Sequence, residues 1–135
     1  RSSAASDVYK RQGEENGHKV VNFPTVKKSN NDIPEIRQVV LTDTATVLRI
    51  RAYYIPKYWI QIMKNIQLVA DNGTVCPVLR SEGIPLGEKF YMPESGETDY
   101  TLYFAPLPEG TRSFDMVEPG DSNSDRVEGI ALTLE

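Results

Sequence analysis

Residues 46–62 read TVLRIRAYYIPKYWIQI, and the spacing of apolar side chains in this stretch decides the fold class. Leu48, Ile50 and Ala52 alternate with Arg49, Arg51 and Tyr53, the period of two that gives a strand one buried and one wet face. Ile55, Pro56 and Lys57 interrupt the run. Beyond them Tyr58, Ile60 and Ile62 share one face while Trp59, Gln61 and Met63 share the other. The pattern concerns architecture and not chemistry, since it supplies no nucleophile, base or ligand set.

Toward the N-terminus, residues 36–42 predict a strand with Val39 and Leu41 on one face. It joins the central strand through LTDTAT, where Asp43 is expected to hold the turn by an Asx-type bond. HKVVNF, residues 18–23, predicts a first short strand, and the polar KKSNND, residues 27–32, a loop. Residues 1–17, RSSAASDVYKRQGEENG, are small and polar with no hydrophobic period. They are expected to form a disordered tail of vector- or adapter-derived, non-native character, leaving residues 18–135 as the folding domain.

Toward the C-terminus, Ile66, Leu68 and Ala70 alternate up to Asn72 and Gly73, a hairpin signal of the type I′ kind. The returning strand, residues 74–79, carries Pro77, which has no N–H to give a ladder and so predicts an edge. Cys76 beside it is expected to be an inert, buried or half-buried thiol. Residues 89–92 predict a short strand, and residues 99–104 one with Tyr100, Leu102 and Phe104 inward and Thr101 and Tyr103 outward. Residues 112–117 and 127–134 supply the last two, the second with Ile130, Leu132 and Leu134 on one face. Short strands at this spacing, with no amphipathic helix and no room for βαβ units, predict an all-β, antiparallel, two-sheet immunoglobulin-like sandwich of about nine strands.

Composition narrows function by exclusion. A chain of 135 residues suits one domain, and its net charge of -4 gives no basic footprint for nucleic acid. No apolar run is long enough for a membrane span. A single cysteine excludes an internal disulfide and a CxxC site, and a lone His18, expected at a solvated strand end, leaves no histidine cluster. The acids Asp43, Asp71, Glu94 and Asp121 fall in turns, where solvation and turn bonding account for them. Two acidic groups, Glu94 with Glu97 and Asp99, and Glu118 with Asp121 and Asp125, lack the regular spacing of a calcium loop. There is no P-loop and no G-x-S-x-G serine, so no catalytic residue, metal or cofactor is predicted.

The candidate binding surface is Tyr53, Trp59 and Tyr103, which alternation places opposite the core face. A bulge near Pro56 would shift the parity and turn Trp59 inward, as tryptophans in sandwiches commonly pack, and that core placement is the expectation here. Exposed together, the three aromatics would instead make a sugar-stacking platform or a docking surface for another domain.

LTDTATVLRIRAYYIPKYWIQI, the EGIPL loop, MPESGE, FAPLPEGT and the closing SFDMVE together resemble an N-terminal immunoglobulin-like β-sandwich of exported Bacteroidota proteins. The resemblance spans about His18 to Leu134 and rests on turn and strand-end motifs. In many such proteins the sandwich precedes a thioredoxin-like or peroxiredoxin-like domain of the thiol-disulfide interchange (TlpA) type. Some carry a cysteine pair where this chain has EPGDSNSD, residues 118–125, so that clamp is not expected here. The resemblance implies a non-catalytic accessory module, periplasmic or outer-membrane-associated, that docks a downstream domain of its parent protein. The alternative is a stand-alone glycan-binding sandwich that uses the exposed Tyr and Trp.

Overall fold

The computed structural model describes residues 12–15, 18–120 and 124–133. It is all-β, with no helix among the described residues, and hence none long and apolar enough to cross a membrane. In chain order the strands are β1 (Gln12–Glu15), β2 (His18–Asn22), β3 (Val26–Ser29), β4 (Pro34–Leu41), β5 (Thr46–Tyr53) and β6 (Trp59–Ile60). They are followed by β7 (Gln67–Ala70), β8 (Val75–Glu82), β9 (Phe90–Tyr91), β10 (Glu97–Phe104), β11 (Ser113–Val117) and β12 (Arg126–Ala131). Ten of them form one sheet in the order β1-β2-β4-β5-β10-β8-β7-β11-β12-β3, and β6 pairs with β9 as a separate two-stranded sheet. Every strand pair is antiparallel.

β5 lies inside the sheet between β4 and β10, as its alternation requires. Leu48, Ile50 and Ala52 are buried, and Leu48 meets Leu102 while Ile50 meets Tyr100 across the β10 register. Arg51 and Asp99 face each other on the wet side in a two-pronged ion pair, with Nε to Oδ1 at 2.7 Å and Nη2 to Oδ2 at 3.1 Å. The guanidinium holds the Asp99 carboxyl below the usual carboxylate range.

β8 ties the two halves of the sheet together. Its first residues, Val75 to Pro77, pair with β7, and its later residues, Val78 to Glu82, pair with β10. A bulge at the changeover leaves Leu79 without a partner on β10. Inward parity shifts accordingly from Cys76 before the bulge to Ser81 after it. Pro77 therefore lies within the sheet and not on an edge strand, contrary to the sequence expectation. It is tolerated because the Val78 N–H donates to the Ile66 carbonyl, so the alternation points the Pro77 nitrogen away from β7. Cys76 is buried, and burial pushes its thiol up, as suits an inert side chain.

One hydrophobic cluster draws on both halves, with Val39, Leu48, Ile50, Leu102 and Phe104 on one side of the changeover and Leu68, Phe114, Met116 and Ile130 on the other. Thr46, buried among them, is satisfied at both ends: its hydroxyl donates to the Ala105 carbonyl at 3.2 Å and accepts from the Leu107 N–H at 2.9 Å.

Other expectations are corrected in detail. Gln12–Glu15 pairs with β2 within the segment expected to be a disordered tail, because an antiparallel ladder needs backbone groups and not a hydrophobic period. Lys27 and Lys28 belong to β3 and not to a loop; all four β3 residues are exposed on the sheet edge, which leaves them no apolar signature. The turn at residues 71–73 is not type I′, since Gly73 alone is left-handed (φ +91) and Asn72 is not. Ala70 N–H donates to Thr74 O and Gly73 N–H to Ala70 O, the pattern of a three-residue loop closed by a left-handed glycine. The Leu134 side chain and that of His18 lie outside the described residues.

The β4–β5 turn is held by Thr42, and Asp43 is merely exposed. Thr42 Oγ1 accepts from the N–H groups of Thr44 (3.2 Å) and Ala45 (3.0 Å) and donates to the Ala45 carbonyl (3.1 Å). Thr42→Val, nearly isosteric, is expected to cost about 1–2 kcal/mol, and Asp43→Ala under about 0.5 kcal/mol, in urea unfolding. Equal costs would return the turn to Asp43.

Candidate functional site

A cleft of about 430 Å³ opens at the end of β5 away from the Thr42 turn. Its rim is the β5–β6 connection and β6 itself, carrying Tyr54, Tyr58 and Trp59, and its floor includes Ile60, Ile66, Tyr100 and Met116. Glu118 and Asp125, from the ends of the segment joining β11 to β12, close one side.

The aromatic rim is shaped by backbone. The Tyr58 N–H donates to the Ile55 carbonyl at 3.1 Å, closing a turn with Pro56 at its second position and Lys57 left-handed (φ +68) at its third. That is the type II arrangement, in which the proline carries the chain from the end of β5 into the separate β6–β9 sheet. Tyr54 N–H donates to Gly96 O at 2.9 Å, and Met92 N–H donates to Tyr58 O at 2.7 Å, so the loop rests on the 92–96 segment. Gly96 itself is left-handed (φ +73), and a Cβ built there would stand 2.8 Å from the Tyr54 carbonyl oxygen. The rings of Tyr54 and Tyr58 meet edge to face at 6.5 Å. Lys89 Nζ lies 4.7 Å from the centroid of the Trp59 ring.

The acidic wall is set by a second group of contacts. Met63 N–H donates to Glu118 Oε2 at 3.2 Å, and the Glu118 N–H donates to the Asp125 carbonyl at 3.0 Å. Asn30 clasps the other end: its Nδ2 donates to Ser124 O at 2.9 Å and its Oδ1 accepts the Arg126 N–H at 2.8 Å. The Glu118 and Asp125 carboxyls line the same cleft, near enough for Asp125 to act on Glu118. Burial, and then the neighbouring Asp125 carboxylate, push Glu118 up from its ordinary value against the opposing Met63 bond. Burial, with Glu118 and Asp125 adding to it, also raises the Tyr100 hydroxyl.

Of the three aromatics singled out in the sequence, the cleft takes Trp59 alone. Trp59 is 45 % exposed, which corrects the expectation that it packs in the core. The break at Pro56 is a full turn and not a one-residue bulge, so Ile60 goes in and Trp59 stays out. Tyr53 and Tyr103 do face the wet side, but β10 pairs them with Glu97 and Val47, six positions apart on the ladder, or about 20 Å. Each is engaged elsewhere: Tyr53 donates to Glu35 at 2.9 Å, and Tyr103 donates to Glu82 at 2.9 Å beneath the Arg80 guanidinium, 3.6 Å from its ring. Tyr54 and Tyr58 were missed, although aromatics crowding both sides of Pro56 are the signal that finds them.

Glu94 pairs with Lys57, and Glu97 and Asp99 with Arg51, so the first acidic group is spread over cations. In the second group Asp121 lies outside the described residues. No cluster of acidic, histidine or cysteine side chains able to hold a metal ion is found among the described residues. Comparison with known proteins gives no match to a protein-family model, to a curated protein or to a solved structure.

Proposed function

We propose that this chain is a non-catalytic recognition module, an immunoglobulin-like β-sandwich that binds carbohydrate in the Tyr54–Tyr58–Trp59 cleft. The observation that carries the reading is the cleft itself, where exposed aromatic rings stand beside carboxylates and a tyrosine hydroxyl in a space of about 430 Å³. Sugars present apolar ring faces that stack on aromatics and hydroxyls that donate to carboxylates, so the two sets of groups match one ligand. The sandwich architecture is supported by the single core shared across β8 and by the sequence motifs described above.

Trp59→Ala is expected to weaken binding of a panel of neutral oligosaccharides by at least about tenfold in calorimetric titration, while shifting the melting temperature by no more than a few degrees. Unchanged binding by the variant would move the site elsewhere.

A second reading has its own support. Ile55, Tyr58, Trp59, Met63 and Tyr91 are all exposed around the same loop, an apolar surface suited to docking a neighbouring domain. With the motif resemblance, it favours an accessory module of an exported, periplasmic or outer-membrane-associated Bacteroidota protein that positions a thioredoxin-like domain. Loss of oligosaccharide binding to the wild-type chain, with retained binding of such a domain added in trans, would decide for it.

A further inference from the structure

The carboxylates of the acidic wall have no ion-paired cation among the described residues. Among the described residues neither Glu118 nor Asp125 forms an ion pair, and the adjacent Arg126 is turned to Glu128, with Nε to Oε2 at 3.3 Å. The nearby Tyr100 lines the same cleft, is only 4 % exposed, and its hydroxyl has no hydrogen-bond partner among the described residues. Two half-buried carboxyls and an unengaged hydroxyl thus converge on one space whose one cationic lining residue, Arg126, is paired with Glu128 and not with them. Such a pair is costly to leave bare, and an ammonium group is what would balance it. The opposite wall suits the same group, since aromatic faces attract cations, as Lys89 over Trp59 already demonstrates on this rim.

We propose that the carbohydrate taken by the cleft is an amino sugar, its protonated amine held between Glu118 and Asp125 and its ring against Trp59 and Tyr58. This rests on the carbohydrate reading above. Acetylating the amine removes the charge and keeps the sugar, which separates the two claims. Charge alone, on a chain of net -4, is controlled by removing an exposed acid at the far end of β5.

The experiment is calorimetric titration of the full chain with a glucosamine tetramer and with its N-acetylated counterpart, at a mildly acidic pH that keeps the amines protonated. The glucosamine tetramer is expected to bind about tenfold more tightly, since a desolvated ammonium against carboxylates and aromatic rings is worth at least that factor. Glu118→Gln and Asp125→Asn should each erase the preference, weakening the glucosamine tetramer more than the N-acetylated one, whereas Asp43→Asn should leave the preference intact. Glu118→Gln keeps an oxygen for the Met63 N–H, and its melting curve is expected at or above that of the wild type, because burial disfavours the native carboxylate. Equal binding of the two tetramers, or a preference that survives Glu118→Gln, would overturn the amino-sugar assignment and leave the carbohydrate reading standing. Binding of neither would overturn both.

Discussion

Phe114→Ala is expected to destabilise the protein by about 3–5 kcal/mol, the range for emptying a fully buried phenylalanine site. Phe114 is 1 % exposed and sits on β11 between Ala70 of β7 and Ile130 of β12, in the half of the sheet beyond the β8 changeover. Phe104, 0 % exposed on β10, is its counterpart in the other half, and both belong to one cluster. If that cluster is a single cooperative core, Phe114→Ala should move the urea midpoint down with the slope unchanged, and probes in either half should report the same transition. The expected loss is a large part of the roughly 5–15 kcal/mol that holds a domain of this size. A biphasic curve, with the β7–β11–β12 half melting first, would show instead that the two halves fold as separate units.

Gly96→Ala is expected to cost about 2–4 kcal/mol. Two effects add. The left-handed backbone (φ +73) disfavours any L side chain, and the new Cβ would press on the Tyr54 carbonyl at 2.8 Å. The neighbouring residues cannot easily give, because the Gly96 carbonyl accepts the Tyr54 N–H and the Gly96 N–H donates to Pro93 O. Gly73→Ala is the matched control: its φ is +91, but nothing stands within 4 Å of the added carbon, so only the conformational part of about 1 kcal/mol should appear. The excess measured for Gly96→Ala is the contact with Tyr54. It should be accompanied by weakened oligosaccharide binding, since the Tyr54–Tyr58 loop must shift. Equal costs for the two glycines would mean that the loop yields freely and that its shape is not fixed from the 92–96 side.

What the sequence made legible was what alternation encodes. Leu48, Ile50 and Ala52, then Ile66, Leu68 and Ala70, then Tyr100, Leu102 and Phe104, were placed on the buried face by spacing alone, and all are buried. Alternation is silent where one face is not buried. β3 is exposed at every position and β1 is pinned by backbone pairing, so neither left an apolar trace. Pro77 misled because a proline needs a ladder gap only at its own nitrogen, which here points away from β7 just before the strand changes neighbours, inside the sheet. The candidate site was half visible. Trp59 stood out, but its direction depended on whether Pro56 made a bulge or a turn, which hinges on the left-handed Lys57 backbone. Glu118 was legible only as a member of an acidic group without calcium-loop spacing; the Met63 N–H that fixes it comes from 55 positions away, and no local pattern announces such a meeting.

The way β8 is shared also bears on how the chain reaches this structure. Other pairings in the sheet are remote along the chain: β5 must find β10, and β3 must find β12, with Val26 opposite Ile130. Pairings that close such long loops are entropically late, which places the protein among slow, topology-limited folders on the millisecond-to-second scale. The β7–β8 hairpin, by contrast, closes over a three-residue loop and forms locally. Because the same β8 strand then offers its second half to β10, this hairpin is the natural nucleus from which registration of both halves spreads.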